Sequence, residues 1–147
     1  MISLPLLDHS LRTRQTAGKT QVYDPLRQRW FLLTPEEHVR QLLIQHLIKK
    51  AGFPAALMAS EKAVKIGTVT RRFDLLVFNR QHQPWLLAEC KEPGVAVTEA
   101  TLYQLLAYHS QLGCRYWLLT NGLQTFCADA GDPQNIQWLK ELPVYEL

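Results

Sequence analysis

A mixed β-sheet flanked by two helices, in the order α-β-β-β-α-β-β, is the α/β fold class that this chain predicts. Three observations point to it. Thr34-Pro35-Glu36-Glu37 has the form of a helix start. Two neighbouring apolar runs, Phe73-Asp74-Leu75-Leu76-Val77-Phe78 and Trp85-Leu86-Leu87-Ala88, are joined by the polar stretch Asn79-Arg80-Gln81-His82-Gln83, which suits a turn. Farther on, Tyr116-Trp117-Leu118-Leu119-Thr120 reads as a fully buried strand.

Taken in order, residues 1–21 read as an irregular N-terminal arm. Tyr23-Asp24-Pro25 starts a turn, and Gln28 to Leu32 forms a short strand. The first helix has Thr34 at the N-cap, Pro35 at the first position and a Glu at the third, as in a capping box. It runs to about Lys50 and stops at Gly52. Val39, Leu42, Leu43 and Leu47 form its buried stripe. Glu36 lies near the edge of that stripe, and Glu37 is rotated about 100° further round. Strands are then expected over Ala56–Ile66, Thr70–Phe78 and Trp85–Lys91, the last ended by Pro93-Gly94. Thr98-Glu99 opens a second helix reaching about Leu112, with Leu102, Leu105, Leu106 and Leu112 on its apolar side. After the buried strand, Asn121-Gly122 signals a two-residue hairpin turn into a strand from Gln124 to Ala128. Ile136, Trp138 and Leu139 mark a covering segment.

At 147 residues the chain is long enough for one domain with a substantial core, spanning 1–147 with its centre at about 22–130. With 47% hydrophobic and 20% charged residues it falls outside the disordered class. No apolar stretch approaches the ~18 residues of a membrane span, and the N-terminus does not read as a signal peptide. Cys90, Cys114 and Cys127 lack CxxC spacing and read as reduced core residues of a cytoplasmic protein. His38, His46, His82 and His109 have no mutual metal-ligand spacing. A net charge of +3 permits contact with nucleic acid without requiring it. Arg12, Arg14, Lys19, Arg27 and Arg29 cluster before residue 30, either as a solvated arm or as phosphate contacts.

The chemistry concentrates at Glu89-Cys90-Lys91. Side chains two apart on a strand share a face, so Glu89 and Lys91 point together. If Asn79 pairs with Pro84, Asp74 falls directly opposite Glu89. Opposed residues of an antiparallel pair have Cβ atoms roughly 4.5–5.5 Å apart. Two carboxylates that close repel unless a cation lies between them. The same three residues also fit a structural ion pair in which Lys91 bridges two acids.

These acids and this element order resemble the PD-(D/E)XK nuclease superfamily. The resemblance narrows over Tyr23-Asp24-Pro25-Leu26-Arg27, then Leu33 to Gln41, Arg71-Arg72-Phe73-Asp74, Glu89-Cys90-Lys91-Glu92-Pro93, Gln104 to Tyr108 and Thr120-Asn121-Gly122. Together they are similar to small proteins related to the N-terminal nuclease domain of type I restriction enzyme R subunits, over roughly residues 22–130. The resemblance implies a restriction-endonuclease-like core, α-β-β-β-α-β with an added C-terminal strand. It implies that Asp74 and Glu89 hold a Mg²⁺ or Mn²⁺ ion with the backbone carbonyl of Cys90, and that Lys91 orients or deprotonates the attacking water. Glu36 is the expected helix acid, with Glu37 as the alternative. Gln104 and Tyr108 match a Gln-x-x-x-Tyr motif that borders the site. The superfamily's proline before the aspartate is replaced by Phe73, and no GxxxxGK[ST] phosphate loop is present.

The expected function is therefore metal-dependent hydrolysis of DNA phosphodiester bonds. Two other classes remain: a nucleic-acid-binding module with a vestigial site, and an accessory protein that docks on a motor or repair partner. The second calls for an exposed apolar patch, around Trp30-Phe31 or Trp138. A homodimer would supply the two sites needed to cut both strands.

Overall fold

The computed structural model describes residues 1–109 and 112–145. Two sheets share one long helix. A three-stranded antiparallel sheet is formed by β1 (Thr13–Thr16), β2 (Lys19–Asp24) and β3 (Arg29–Leu32). Helix α1 (Pro35–Lys49) follows. A six-stranded sheet then contains β4 (Met58–Ile66), β5 (Val69–Phe78), β6 (Pro84–Cys90), β7 (Tyr116–Thr120), β8 (Thr125–Asp129) and β9 (Gln137–Trp138), in that spatial order. Only β6 and β7 pair in parallel, across helix α2 (Glu99–His109); the other neighbours are antiparallel. The α-β-β-β-α-β-β order read from the sequence is thus present; β3 is the short strand expected before it, and β1, β2 and β9 are additional.

Local chemistry explains the boundaries. The Thr34 hydroxyl accepts the Glu37 amide at 3.1 Å, and Pro35 fills the first helical position. The capping box is only half made, because the Glu37 carboxylate turns to arginines instead. At the other end Gly52 takes a φ of 73°, a left-handed conformation that suits glycine after a helix.

The arm expected to be irregular over residues 1–21 is largely ordered. Ala17 and Gly18 both take positive φ, 51° and 76°, the geometry of a two-residue hairpin turn, and join β1 to β2. Ala-Gly is a weak turn signal, and the exposed strand Thr13–Thr16 has no apolar alternation to betray it. Nearer the start, Leu6 is buried against the core, and His9 shares a 3.0 Å hydrogen bond with the buried His46 of α1. Burial, then the neighbouring His9 and Lys50, lower the His46 pKa.

Two apolar layers sandwich the larger sheet. Leu43, Ile44 and Leu47 of α1 pack with Leu75, Val77, Leu86, Ala88 and Leu118 on one side. Leu102 of α2 packs with Phe73, Leu76, Leu87, Trp117 and Leu119 on the other. Leu105 and Leu112 join the second layer at its margin; the side chains of Leu106 and Tyr108 lie outside the described residues. Trp138 covers the second layer, and Tyr145 seals the first by stacking near Phe53 and Trp85. All three cysteines are buried and free, and burial pushes the Cys114 and Cys127 thiols up to about 12. Among the described residues no helix is long and apolar enough to cross a membrane.

The expected two-residue turn at Asn121-Gly122 is a longer loop. Thr120 pairs with Thr125, and the Asn121 side-chain oxygen accepts the amides of Leu123 and Gln124 at 2.9 and 2.8 Å. Its amide nitrogen donates to Val95 at 2.9 Å. Asn121 is therefore a buried tie between two loops, a demand that displaces the shorter turn.

Asp24 joins the two sheets. It is fully buried, with its carboxylate accepting the Leu26 and Arg27 amides at 2.7 and 3.1 Å, Arg27 Nε at 2.7 Å and the Ser60 hydroxyl of β4 at 2.6 Å. Burial alone would raise its pKa, but Ser60, Arg27 and the turn amides outweigh it and hold the pKa below the usual value. The ionised form thus contributes stability above the unfolded carboxylate range, and that contribution fades as pH falls through the depressed native value. We expect Asp24→Asn to cost roughly 3 kcal/mol at neutral pH. Urea titrations should show the deficit shrinking in acid; a small deficit, or one that does not change with pH, would contradict the assignment.

Candidate active site at the fork of the sheet

The register between β5 and β6 pairs Leu75 with Ala88, Leu76 with Leu87 and Val77 with Leu86. That phase places Asp74 next to Glu89, as the sequence reading required. The turn closes differently: Phe78 pairs with Pro84, Asn79 bonds to Gln83 at 2.8 Å, and a bulge at Trp85 restores the phase.

Beyond Leu75 and Ala88 the two strands separate. The earlier half of β5 pairs with β4 alone, whereas Glu89 and Cys90 continue alongside Leu119 and Thr120 of β7. The β4–β5 ladder also skips one position, passing from Ser60–Leu75 to Lys62–Phe73. Glu61 takes a φ of 51° there, so Asp74 and Glu61 both leave regular pairing. The freed Asp74 carboxylate accepts the Cys90 amide at 2.8 Å through Oδ2. A side chain thus replaces the strand carbonyl that the fork removes.

Glu89 lies within hydrogen-bonding range of Asp74. Burial, then the Asp74 hydrogen bond and its negative charge, push the Glu89 pKa up to about 9. At neutral pH Glu89 is protonated and donates to the Asp74 carboxylate. Lys91 follows directly after the strand and is close enough to oppose that rise. Its backbone amide donates to Thr120 at 2.9 Å, which fixes the segment beside β7. Strand amides and carbonyls alternate in direction, so those of Cys90 face the fork.

A buried cation occupies the middle of these acids. The Arg40 guanidinium reaches Glu37 at 2.8 Å, Asp74 at 2.9 Å, Glu61 at 2.5 Å and Glu36 at 3.7 Å. Burial opposes its charge, but Glu37, Asp74 and Glu61 outweigh that opposition and raise its pKa further. Arg27 extends the chain of charges, bonding Glu37 at 2.6 Å and Asp24 at 2.7 Å. The pairing is incomplete: Arg40 Nε and the Gln41 side-chain oxygen are buried with no hydrogen-bond partner among the described residues. Each such atom costs about 1–3 kcal/mol.

The two helix acids separate cleanly. Glu37 is buried and committed to Arg27 and Arg40. Glu36 has a side chain 49% exposed, and its pKa is raised by partial burial and then by Asp74, against the pull of Arg40 and Lys91. Of the two, Glu36 is the more loosely held, its carboxylate 3.7 Å from Arg40. Gln104 is exposed on α2 and makes no hydrogen bond to the strand acids among the described residues. The Tyr108 side chain lies outside the described residues. Arg72 points to Glu61 at 3.4 Å.

Among the described residues no three His, Cys, Asp or Glu side chains form a group that could hold a metal ion. The donor set is instead two carboxyls, Asp74 and Glu89, with the Cys90 backbone beside them. Mg²⁺ suits so sparse a set, because it is commonly held by one or two carboxylates and keeps several waters. Glu89 also fits: a divalent cation beside it would favour its ionised form.

The sequence reading gives Arg40 and Glu61 no part in the site, and Asp24 and Arg27 stand in a matching segment without a role there. Arg40 stands four residues after Glu36 and three after Glu37, a spacing that ordinarily signals an exposed helix pair.

In comparisons with known proteins, the family described as the type I restriction enzyme R protein N terminus matches residues 35–143. No curated protein matches the chain.

Removing Arg40 deprives the buried Glu37 and the half-buried Asp74 and Glu61 of a shared counter-charge. We expect Arg40→Ala to cost about 3–5 kcal/mol. Arg40→Lys should fall between Ala and the wild type, since an ammonium cannot span three acids as a planar fork does. Urea denaturation measures both. A Lys variant as stable as wild type, or an Ala variant within about 1 kcal/mol of it, would remove Arg40 from the centre of the network.

Proposed function

The chain belongs to the family of type I restriction enzyme R protein N termini, and from that premise we propose that it is a divalent-metal-dependent nuclease hydrolysing DNA phosphodiester bonds on a PD-(D/E)XK core. The observation that carries this reading is the contact between Asp74 and Glu89 at the fork, with Lys91 two residues further along. Asp74, Glu89 and the Cys90 carbonyl would hold a Mg²⁺ or Mn²⁺ ion. Such an ion supplies Lewis-acid stabilisation of charge on the phosphate and lowers the pKa of water.

The protein's own groups divide the remaining work. Lys91 bears a cation beside the acids, suited to orienting the attacking water and to steadying negative charge on a phosphate oxygen. Glu36 offers an exposed carboxylate, loosely held 3.7 Å from Arg40. Arg40 acts through Asp74 as a positioning residue: it fixes one carboxylate oxygen while the Cys90 amide fixes the other.

Arg40 also motivates a second reading. It already pairs with one Asp74 oxygen and so holds that carboxylate without a metal, as in a vestigial or partner-activated module that binds nucleic acid without cutting. An accessory protein docking through an apolar patch has less support. Trp30 and Phe31 lie under arginines, and Trp138 packs against Tyr103 and Phe126.

Cleavage assays decide between the readings. Purified protein with Mn²⁺ should cut DNA, and Asp74→Ala or Lys91→Ala should abolish cutting with an unchanged circular dichroism spectrum. Retained cutting by either variant would defeat the mechanism, and an inert wild type would favour the second reading.

Metal binding should itself depend on pH. Glu89 must lose its proton to become a ligand, so apparent Mn²⁺ affinity should rise with pH, by up to about tenfold per unit, until about 9. Titration calorimetry in buffers of different ionisation enthalpy should detect about one proton released near neutrality. Binding that ignores pH, or a Glu89→Gln variant that binds as tightly as wild type, would place the ion elsewhere.

A further inference from the structure

The outward face of the three-stranded sheet differs in chemistry from the rest of the surface. Antiparallel register sets Tyr23 beside Trp30, Gln21 beside Arg14 and Leu32, and Thr16 beside Lys19. Arg12 continues the register, its carbonyl accepting the Tyr23 amide at 2.9 Å. With period-two alternation, Arg12, Arg14, Lys19, Tyr23 and Trp30 all share this face, while Val22 and Asp24 are buried on the other. Asp24 is the sole acid between residues 9 and 35, and it is enclosed and paired with Arg27. The face therefore carries positive charge without a compensating acid.

The arginines are also held in place. Arg12 lies over the Tyr23 and Trp30 rings at 4.6 and 5.2 Å, and Arg14 lies over Trp30 at 4.2 Å. Arg14 Nε donates to Gln21 at 2.8 Å, a bond that does not use its terminal nitrogens. Neither guanidinium forms an ion pair among the described residues. Stacking fixes each plane and leaves its N–H edge open, the arrangement that suits bidentate contact with phosphate. Arg12 and Arg14 stand roughly 7 Å apart, two residues of strand rise.

We infer that this face is a docking surface for the DNA sugar-phosphate backbone, contributing sequence-independent affinity. The inference rests on the proposal that the substrate is DNA, but concerns binding rather than chemistry.

Fluorescence anisotropy with a short labelled duplex, in EDTA so that no cutting intervenes, tests it. Arg12→Glu/Arg14→Glu and, separately, Lys19→Glu should each weaken binding roughly tenfold per lost phosphate contact at 0.1 M salt. The slope of log affinity against log salt should fall by about 1 for each contact removed. Lys49→Glu/Lys50→Glu, at the opposite end of α1, should change neither quantity. Equal weakening by that control, unchanged binding by both face variants, or loss confined to binding of phosphatidylserine vesicles would overturn the inference. Lys19 is exposed at the hairpin tip, so its variant carries the test if the double variant misfolds. If wild type binds through this face but never cuts, the surface stands and the nuclease reading fails. If wild type cuts while the face variants bind normally, the reverse holds.

Discussion

The organising constraint of this molecule is that Arg40 is buried and must not be left unpaired. A guanidinium removed from water is tolerated only when carboxylates surround it, and here they come from several elements. Glu36 and Glu37 belong to α1 itself, Glu61 to β4 and Asp74 to β5. Through Glu37 the alternation of sign continues to Arg27 and Asp24, and from Asp24 to Ser60. The orientation of the small sheet, the tilt of α1 and the position of the Asp74 carboxylate are therefore parts of one electrostatic arrangement.

Much of the fold was legible in the sequence because it rests on local rules. Thr34 and Pro35 start a helix by capping chemistry that needs no tertiary context. The phase of the β5–β6 hairpin rests, in the sequence, on an assumed Asn79–Pro84 pairing; the structure pairs Phe78 with Pro84 instead, yet the bulge at Trp85 restores that phase and Leu75 pairs with Ala88. The candidate acids were legible because a charge within an apolar run stands out.

The remainder depends on which surfaces meet. Glu36 was expected nearer the buried stripe than Glu37, yet Glu37 is enclosed and Glu36 exposed, because Arg27 and the small sheet cover a second side of α1. Arg40 was unreadable as a centre because its spacing from Glu36 and Glu37 is also that of an ordinary solvated pair. Glu61 was hidden because only the local backbone irregularity turns it toward Asp74. The first hairpin escaped notice because its strands are polar on both faces and its turn is Ala17-Gly18.

The bulge at Trp85 has a bearing on how freely the neighbouring loop can vary. From Val77 and Leu86 onward, three successive pairs are clamped between the helices, so they act as a ratchet that holds alignment. The misfit between a connector of given length and that fixed alignment is absorbed upstream, where one residue is already extruded. Insertions or deletions among residues 79–83 can therefore be taken up at the strand entrance, leaving the spacing of the two carboxyls at its far end undisturbed.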